Sequence, residues 1–339
     1  MTKRFRPWDP KQKWLLPPEI TEFIPEGHPA HFVRDLVVEQ LDLSAILDTY
    51  AEDRGFPPFH PAMMVALLLY AYTQGVFSSR KIAKACIERM DFAAVTGFQK
   101  PDFRTIGVFR RRHLQALAGL FQQVLVLCRQ AGLVALGHVA LDGTKVKANA
   151  SKPKAQRNFT DPESRIMPTK NGFEQCYNAQ AGVDAKAQVI VACDVVNTHA
   201  DCPQLLGMVD QVRTNLGRKP RVCSADAGFC SEANLAGLIE RHIGAYIATG
   251  RQKHGSKAAT HVINGKPGSL VAAMRDKLKR GGWRSPYRLR KQVVEPVFGQ
   301  IKQAMGFRQF LMRGLAKVKA EWQLVCLAHN LRKLVGAFS

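Results

Sequence analysis

The chain has no long apolar run. Its longest, residues 61–72, is well short of the ~20 residues that a membrane-spanning helix needs. The first residues, MTKRFRPWDPKQKW, carry no apolar stretch after their basic residues, as a secretory signal would. Both absences favour a cytoplasmic protein with no membrane partner.

Acidic residues are scarce relative to basic ones. The 339 residues include 27 Asp and Glu against 49 Lys and Arg, which gives a formal net charge of +22. A surface this basic repels itself unless an anion neutralises it, so nucleic acid is the leading partner class and an anionic membrane surface the next. DNA as the partner would place the protein at the nucleoid.

The eight cysteines form no CxxC pair and lie scattered through apolar segments. This distribution favours structural thiols in a reducing compartment over disulfides or a zinc site. With 46% hydrophobic residues, the chain is long enough for about two domains.

The periodicity of apolar residues divides the chain. After an extension at 1–16, residues 17–133 carry helical signals and predict an all-helical domain, with one long helix over 101–132. Residues 134–339 predict three successive strands, then helix, strand, helix, strand and terminal helices, which is an α/β domain with a mixed sheet. Two polar, basic stretches, 151–172 and 251–269, predict long loops.

Two aspartates follow predicted strands. Asp142 comes after the apolar HVAL, and Asp226 comes after RVCSA. If the strands are parallel neighbours, both carboxylates project from one edge of the sheet, a place where active sites of α/β sheets form. A helix laid across that edge would bring Glu295 to them. Locally, however, Asp142-Gly143 is a strong hairpin signal, so a turn is the alternative for Asp142.

Three converging carboxylates repel each other, and divalent cations relieve that repulsion. Their oxygens select Mg²⁺ or Mn²⁺, and two such ions a few Å apart support phosphoryl transfer. The alternatives remain open at this point: Asp226 as a cap of the helix that begins near Ser231, and Glu295 as a first-turn residue favoured by the helix dipole.

Several stretches, taken together and in order, resemble one family. LDGTKVKANASK, NAQAGVD, SADAGF and VVEPVFGQIKQAMGFRQFLMRG are similar to the DDE transposases of bacterial insertion sequences, in the group with a Tyr/Arg/Glu/Lys signature. The N-terminal FHPAMMVALLLYAYTQGVFSSRKI is similar to the helical domain that precedes their catalytic core. The resemblance covers about residues 15–335.

The resemblance implies an RNase H-like core in which Asp142 and Asp226 end the first and fourth strands and Glu295 comes from the helix after the fifth. It implies two Mg²⁺ or Mn²⁺ ions held by these three residues. Its activity would be hydrolysis at transposon ends and strand transfer into target DNA by a dimer that pairs the ends. Glu295 and Lys302 match the signature's spacing, whereas Tyr287 and Arg290 lie one residue further from Glu295 than the strict signature has them.

Basic residues supply the expected DNA contacts. Lys302 is two helical turns after Glu295 and near the same face, where it would hold a phosphate. Further phosphate candidates near the acids are Arg290, Lys291 and the same-face pair Lys145 and Lys147.

Residues 78–113 resemble a helix-turn-helix with Arg110, Arg111 and Arg112 on its second helix; a core-packing helix with a charged face is the alternative. Two other functions stay open: a catalytically silent transposase-derived DNA-binding regulator, and an RNase H-like nuclease without strand transfer.

Overall fold

The computed structural model describes residues 19–50, 58–151, 158–169, 172–252, 259–262 and 266–338. The extension at 1–16 lies outside these residues. Within them no helix combines the length and the apolar character needed to cross a bilayer. All eight cysteines are free thiols, and only Cys202 is not buried.

The first part of the chain is helical. Its helices are α1 (Pro29–Glu39), α2 (Ser44–Leu47), α3 (Pro61–Thr73), α4 (Ser79–Glu88), α5 (Met90–Thr96), α6 (Phe103–Arg112) and α7 (Leu114–Gln130). Helix α3 is apolar on every side and almost entirely buried, as its sequence PAMMVALLLYAYT requires. It therefore forms the centre of the helical part.

The single helix predicted over 101–132 is wrong, because the chain breaks at His113 between α6 and α7. The His113 ring is buried, stacks on Tyr50 at a centroid distance of 5.6 Å and lies 4.8 Å from the Phe109 ring. Its Nε2 forms a 3.1 Å hydrogen bond with the Tyr50 hydroxyl. A tertiary contact, and not a local Gly or Pro signal, thus sets the helix boundary.

The second part contains a six-stranded mixed sheet. Its strands are β1 (His138–Lys147), β2 (Arg165–Thr169), β3 (Gly172–Asp184), β4 (Ile190–Val196), β5 (Val222–Ala225) and β6 (Gly244–Ile247). Strand β3 pairs antiparallel with β1, β2 and β4, while β5 is parallel to both β1 and β6. The order β4-β3-β1-β5-β6 is that of an RNase H-like fold, which confirms the predicted mixed α/β core.

The parallel strands are joined by helices, as parallel pairing requires. Helix α8 (Leu205–Leu216) leads from β4 to β5, and α9 (Glu232–Glu240) leads from β5 to β6. The chain then continues through α10 (Leu270–Gly281), α11 (Arg290–Gly299), one π-helical turn at Gln300–Ala304 and α12 (Leu315–Phe338).

The two predicted basic loops are wrong in part, because both contain strands. Strand β2 lies within 151–172, and a two-stranded hairpin of β7 (Gly250–Gln252) and β8 (Ala259–Val262) covers much of what is described in 251–269. Residues 152–157, 170–171, 253–258 and 263–265 of these segments lie outside the described structure. β2 escaped prediction because its exposed residues show no clean alternation.

Helix α12 joins the helical part to the sheet. It packs on α3 and α7 on one side and on β4 on the other. The Trp322 indole N–H donates to the Gln180 carbonyl at 2.9 Å, and the buried Asn330 side chain bonds both the N–H and the carbonyl of Ile190 at 2.8 Å. The two parts consequently share one continuous hydrophobic core.

Candidate active site

Asp142 lies in the middle of β1, not at a strand end. It pairs with Ala181 of β3, and the strand continues to Lys147. Both the hairpin and the strand-end expectation are therefore wrong. The hairpin signal fails because Gly143 faces Gln180 across the strands and leaves space for that side chain, so the glycine serves packing and not a turn.

Asp226 directly follows β5, as predicted. The pairing of Leu141 with Ala225 in parallel register places Asp142 and Asp226 side by side on one face of the sheet. Asp226 Oδ1 accepts a 2.8 Å hydrogen bond from the Gly228 N–H, which fixes the carboxylate at the turn after the strand. Helix α9 is capped by the Ser231 hydroxyl instead, so Asp226 is not the cap of that helix.

The surroundings of Asp142 disfavour its charge. Burial raises the pKa of Asp142 to about 6, the guanidinium of Arg290 opposes that rise, and the neighbouring charge of Asp226 adds to it. A carboxylate in this position gains from a cation that offsets its lost hydration and the repulsion by its neighbour.

Arg290 lies between Glu295 and Asp142 and contacts both carboxylates. Arg290 Nη1 donates to Asp142 Oδ2 at 3.0 Å, and Arg290 Nη2 lies 3.9 Å from Glu295 Oε1. The guanidinium is buried, with 8% of the side chain exposed, whereas 54% of the Glu295 side chain is exposed. The expectation that α11 crosses the site holds, but the carboxylate of Glu295 points toward solvent with an arginine between it and Asp142.

The carboxylate oxygens of the site nevertheless suit a hard divalent cation. In the described part of the chain, no three His, Cys, Asp or Glu side chains converge into a metal-binding group. Asp142 and Asp226 lie side by side, and their oxygens are the ligand type that Mg²⁺ and Mn²⁺ prefer. Arg290 supplies a positive charge beside Asp142, and its guanidinium also lies 3.9 Å from Glu295 Oε1.

Lys302, the lysine predicted to hold a phosphate, forms hydrogen bonds with β1 in this structure. It lies in the π-helical turn, and its Nζ donates to Thr144 Oγ1 at 2.6 Å and to the carbonyl of Lys145 at 2.8 Å. This geometry ties the turn after α11 to β1. The expectation of a lysine held out toward a phosphate does not describe this conformation.

The other predicted phosphate residues near the acids are mostly paired. Lys145 and Lys147 share a face of β1 as expected, but Lys147 pairs with Glu174 at 2.7 Å and Lys145 donates to the carbonyl of His199 at 3.3 Å. Burial lowers the pKa of Lys145, against the charges of Asp201, Asp142 and Asp226. Lys291 is exposed on α11.

The structure does not place Arg110 on the surface, where the predicted DNA contact requires it. Its side chain is buried and donates to the carbonyl of Phe77 at 2.7 Å, so it anchors α6 to the turn before α4. Arg112 donates to the carbonyl of Thr49 at 2.9 Å, and Arg111 is exposed with only a 3.3 Å bond to the carbonyl of Gly107 on its own helix.

The segment predicted as a helix-turn-helix has three helices, α4, α5 and α6. Gly97, in the left-handed conformation, ends the second of them.

One carboxylate of the site was missed. Asp201 Oδ1 accepts hydrogen bonds from Asn178 Nδ2 at 2.6 Å and Gln180 Nε2 at 2.7 Å, and it lies 3.8 Å from Lys145 Nζ. In the sequence, Asp201 stands in the loop segment NTHADCPQ, where an aspartate two residues before Pro203 predicts only a turn or a cap.

Sequence comparison finds two family models on this chain. A family described as "Transposase domain (DUF772)" matches residues 18–112, and one described as "Transposase DDE domain" matches residues 250–335. The first covers most of the helical part, and the second covers the segment with Arg290 and Glu295. No curated protein matches the chain.

Solved structures with some likeness include three of Mos1 transposase. They are a paired-end complex with the left transposon end (13% identity, 85% of this chain and 84% of that chain, TM-score 0.24), a strand transfer complex (12%, 64% and 71%, 0.21) and a pre-cleavage transpososome (11%, 91% and 92%, 0.21). The assignment rests on the two family matches and on the sheet topology around Asp142 and Asp226. The chain belongs to the insertion-sequence DDE transposases.

Proposed function

We propose that the protein cuts phosphodiester bonds at transposon ends and joins the freed 3′-hydroxyl to target DNA, in a reaction that depends on Mg²⁺ or Mn²⁺. The observation that supports the proposal is the pair Asp142 and Asp226 on adjacent parallel strands, with Arg290 of α11 bonded to Asp142 and 3.9 Å from Glu295. DNA is the substrate that suits a chain of net charge +22.

In this proposal Asp142, Asp226 and Glu295 would hold two divalent ions. Such ions activate an attacking oxygen and stabilise a leaving one. The fixed sheet positions Asp142 and Asp226 in advance, and α11 positions Glu295. Arg290 balances the charge of Asp142 in this structure, and it would pass to a phosphate oxygen of the DNA once Asp142 is engaged otherwise.

A strand-transfer assay tests the function. Purified protein is incubated with a labelled, pre-cleaved transposon end and a supercoiled plasmid in Mg²⁺ or Mn²⁺. The proposed function predicts labelled DNA joined to the plasmid, and no product in excess EDTA.

The other outcomes separate the alternatives. Cleavage of an uncut end without joining would indicate a nuclease, and end binding without either product would indicate a regulator. An Asp226→Asn variant, which keeps the size of the side chain, is the control for a contaminating nuclease.

We further propose that the helical part binds the transposon ends and that Arg111 contributes one DNA contact. Replacing Arg111 with Ala is expected to weaken end binding by ~1 kcal/mol, about fivefold, and to lower the salt dependence by about one phosphate contact. The measurement is a binding titration at several salt concentrations.

Arg218→Ala is the matched control for charge. Arg218 is exposed after α8, on the sheet part of the chain, so its loss is expected to change end affinity less. Equal effects of the two substitutions would show that α6 does not contact the ends. Arg110 is unsuitable for this test because its loss disturbs the packing of α6.

A further inference from the structure

Asp201 places a fourth carboxylate beside the site, and its two oxygens are in different surroundings. Oδ1 accepts from the amides of Asn178 and Gln180. No described residue donates a hydrogen bond to Oδ2. A carboxylate held at one oxygen and open at the other is oriented, and its open oxygen keeps a full capacity to bind a cation.

The open oxygen is turned toward Asp226. The two acids meet at Gly228, which has no side chain. Asp226 Oδ1 lies 3.0 Å and Asp201 Oδ2 lies 3.4 Å from the position that a Cβ on this residue would take. Two carboxylate oxygens that face the same small space repel each other across it. The chain leaves this space open by placing a glycine there.

A buried, unpaired oxygen lies in the same cluster. Asn178 is fully buried, and its Oδ1 has no hydrogen-bond partner. Its Nδ2 donates to Asp201 Oδ1 and to the carbonyl of Thr198, which fixes the amide orientation and leaves Oδ1 as the acceptor. Asn178 Oδ1 and Asp201 Oδ1 lie 2.9 and 2.8 Å from the position of a Cβ on Gly143. A buried acceptor without a donor calls for a water or a cation.

We propose that Asp201 is a metal-binding residue of the site, with Oδ2 and Asp226 together holding a divalent cation and its water. Lys145 Nζ lies 3.8 Å from Asp201 Oδ1, the oxygen that the two amides already hold. The inference rests on the proposed function, because it adds a ligand to the cation site formed by Asp142 and Asp226.

Mn²⁺ binding, followed by the electron paramagnetic resonance of free Mn²⁺, tests the proposal in the full chain without DNA. Asp201→Asn keeps an oxygen for the amides of Asn178 and Gln180 but removes the charge, so we expect Mn²⁺ affinity to fall at least tenfold at an unchanged melting temperature in EDTA. Asp210→Asn is the control, because Asp210 lies on α8 and pairs with Arg241. It is expected to bind Mn²⁺ as the wild type does.

The outcomes separate the two proposals. Wild-type affinity in Asp201→Asn, together with loss of binding in Asp226→Asn, overturns the role of Asp201 and leaves the proposed function intact. No Mn²⁺ binding by the wild-type protein overturns both.

A measurement on the wild-type protein avoids any folding defect of the variant. Fe²⁺ with ascorbate and peroxide cuts the backbone next to a bound metal. Cuts near Asp201 as well as near Asp226 are expected, and cuts near Asp142 and Asp226 with none at 199–203 overturn the proposal.

Discussion

Replacing Asp142 with Asn, Asp226 with Asn or Glu295 with Gln is expected to lower cleavage of transposon ends by at least ~10³-fold each. Each substitution keeps the shape of the side chain and removes one negative charge from the place where the divalent ions are proposed to bind. Loss of one such ligand removes the charge that holds an ion, so the chemical step fails while the fold remains. Single-turnover cleavage of a labelled end in Mg²⁺ measures the effect.

DNA binding provides the internal control for these variants. Removing a carboxylate makes a chain of net charge +22 more basic, so end affinity in EDTA is expected to stay equal or to rise. Asp194→Asn is the matched variant outside the site, because Asp194 lies on β4 and pairs with Lys319 at 2.8 Å. Near wild-type cleavage in all three site variants would contradict the proposed chemistry.

Because Arg290 is bonded to Asp142, the Asp142 variant is expected to differ in thermal stability from the variants of the other two acids. In Asp142→Asn the buried guanidinium loses its hydrogen-bonded carboxylate at 3.0 Å and keeps the more distant, exposed Glu295 at 3.9 Å. An unpaired buried charge destabilises a fold, so this variant is expected to melt at a lower temperature than Asp226→Asn or Glu295→Gln. Thermal unfolding in EDTA distinguishes that loss of stability from the loss of catalysis.

The sheet was readable from the sequence because its strands follow simple rules. Strand β3 is buried almost throughout and its sequence contains few charges, β1 contains the apolar residues 139–141, and the parallel strands β5 and β6 are short and separated by a helix. These patterns require no knowledge of distant contacts. The same holds for Asp226, whose place after β5 follows from the end of an apolar run.

What the sequence could not show depends on pairs that are far apart along the chain. Arg290 and Asp142 are 148 residues apart, and their contact places a buried guanidinium in the site. The boundary at His113 arises from its packing against Tyr50. The burial of Arg110 arises from its bond to the Phe77 carbonyl, so three adjacent arginines with the same local signal have different surroundings.

Gly143 belongs to a local hairpin signal, but residues that are distant in the sequence explain why a glycine is needed there. Asp-Gly predicts a hairpin when only neighbours are considered, yet the pair lies within a ten-residue strand. A Cβ at Gly143 would lie 2.5 Å from Gln180 Nε2 and 2.8 Å from Asp201 Oδ1, closer than real Cβ atoms approach other atoms. Space for these two side chains, and not a turn, is therefore the reason for glycine at this position.

Gly143→Ala is accordingly expected to disturb both stability and the site. Gln180 and Asn178 are buried and bonded to Asp201, so none of them can move away without breaking the cluster. We expect a loss of ~1–3 kcal/mol in the free energy of unfolding, as for other overpacked positions. We also expect a fall in cleavage on the order of 10²-fold, because Asp142 and Asp201 are displaced.

Gly137→Ala is the matched control, since Gly137 directly precedes β1 and a Cβ there has no atom within 4 Å. Its effect on unfolding is expected to stay within ~0.5 kcal/mol. Urea unfolding and single-turnover cleavage are measured on both variants. If Gly143→Ala matches Gly137→Ala in both measurements, the cluster around Asp201 is not rigid, and the orientation of its carboxylate has to arise in another way.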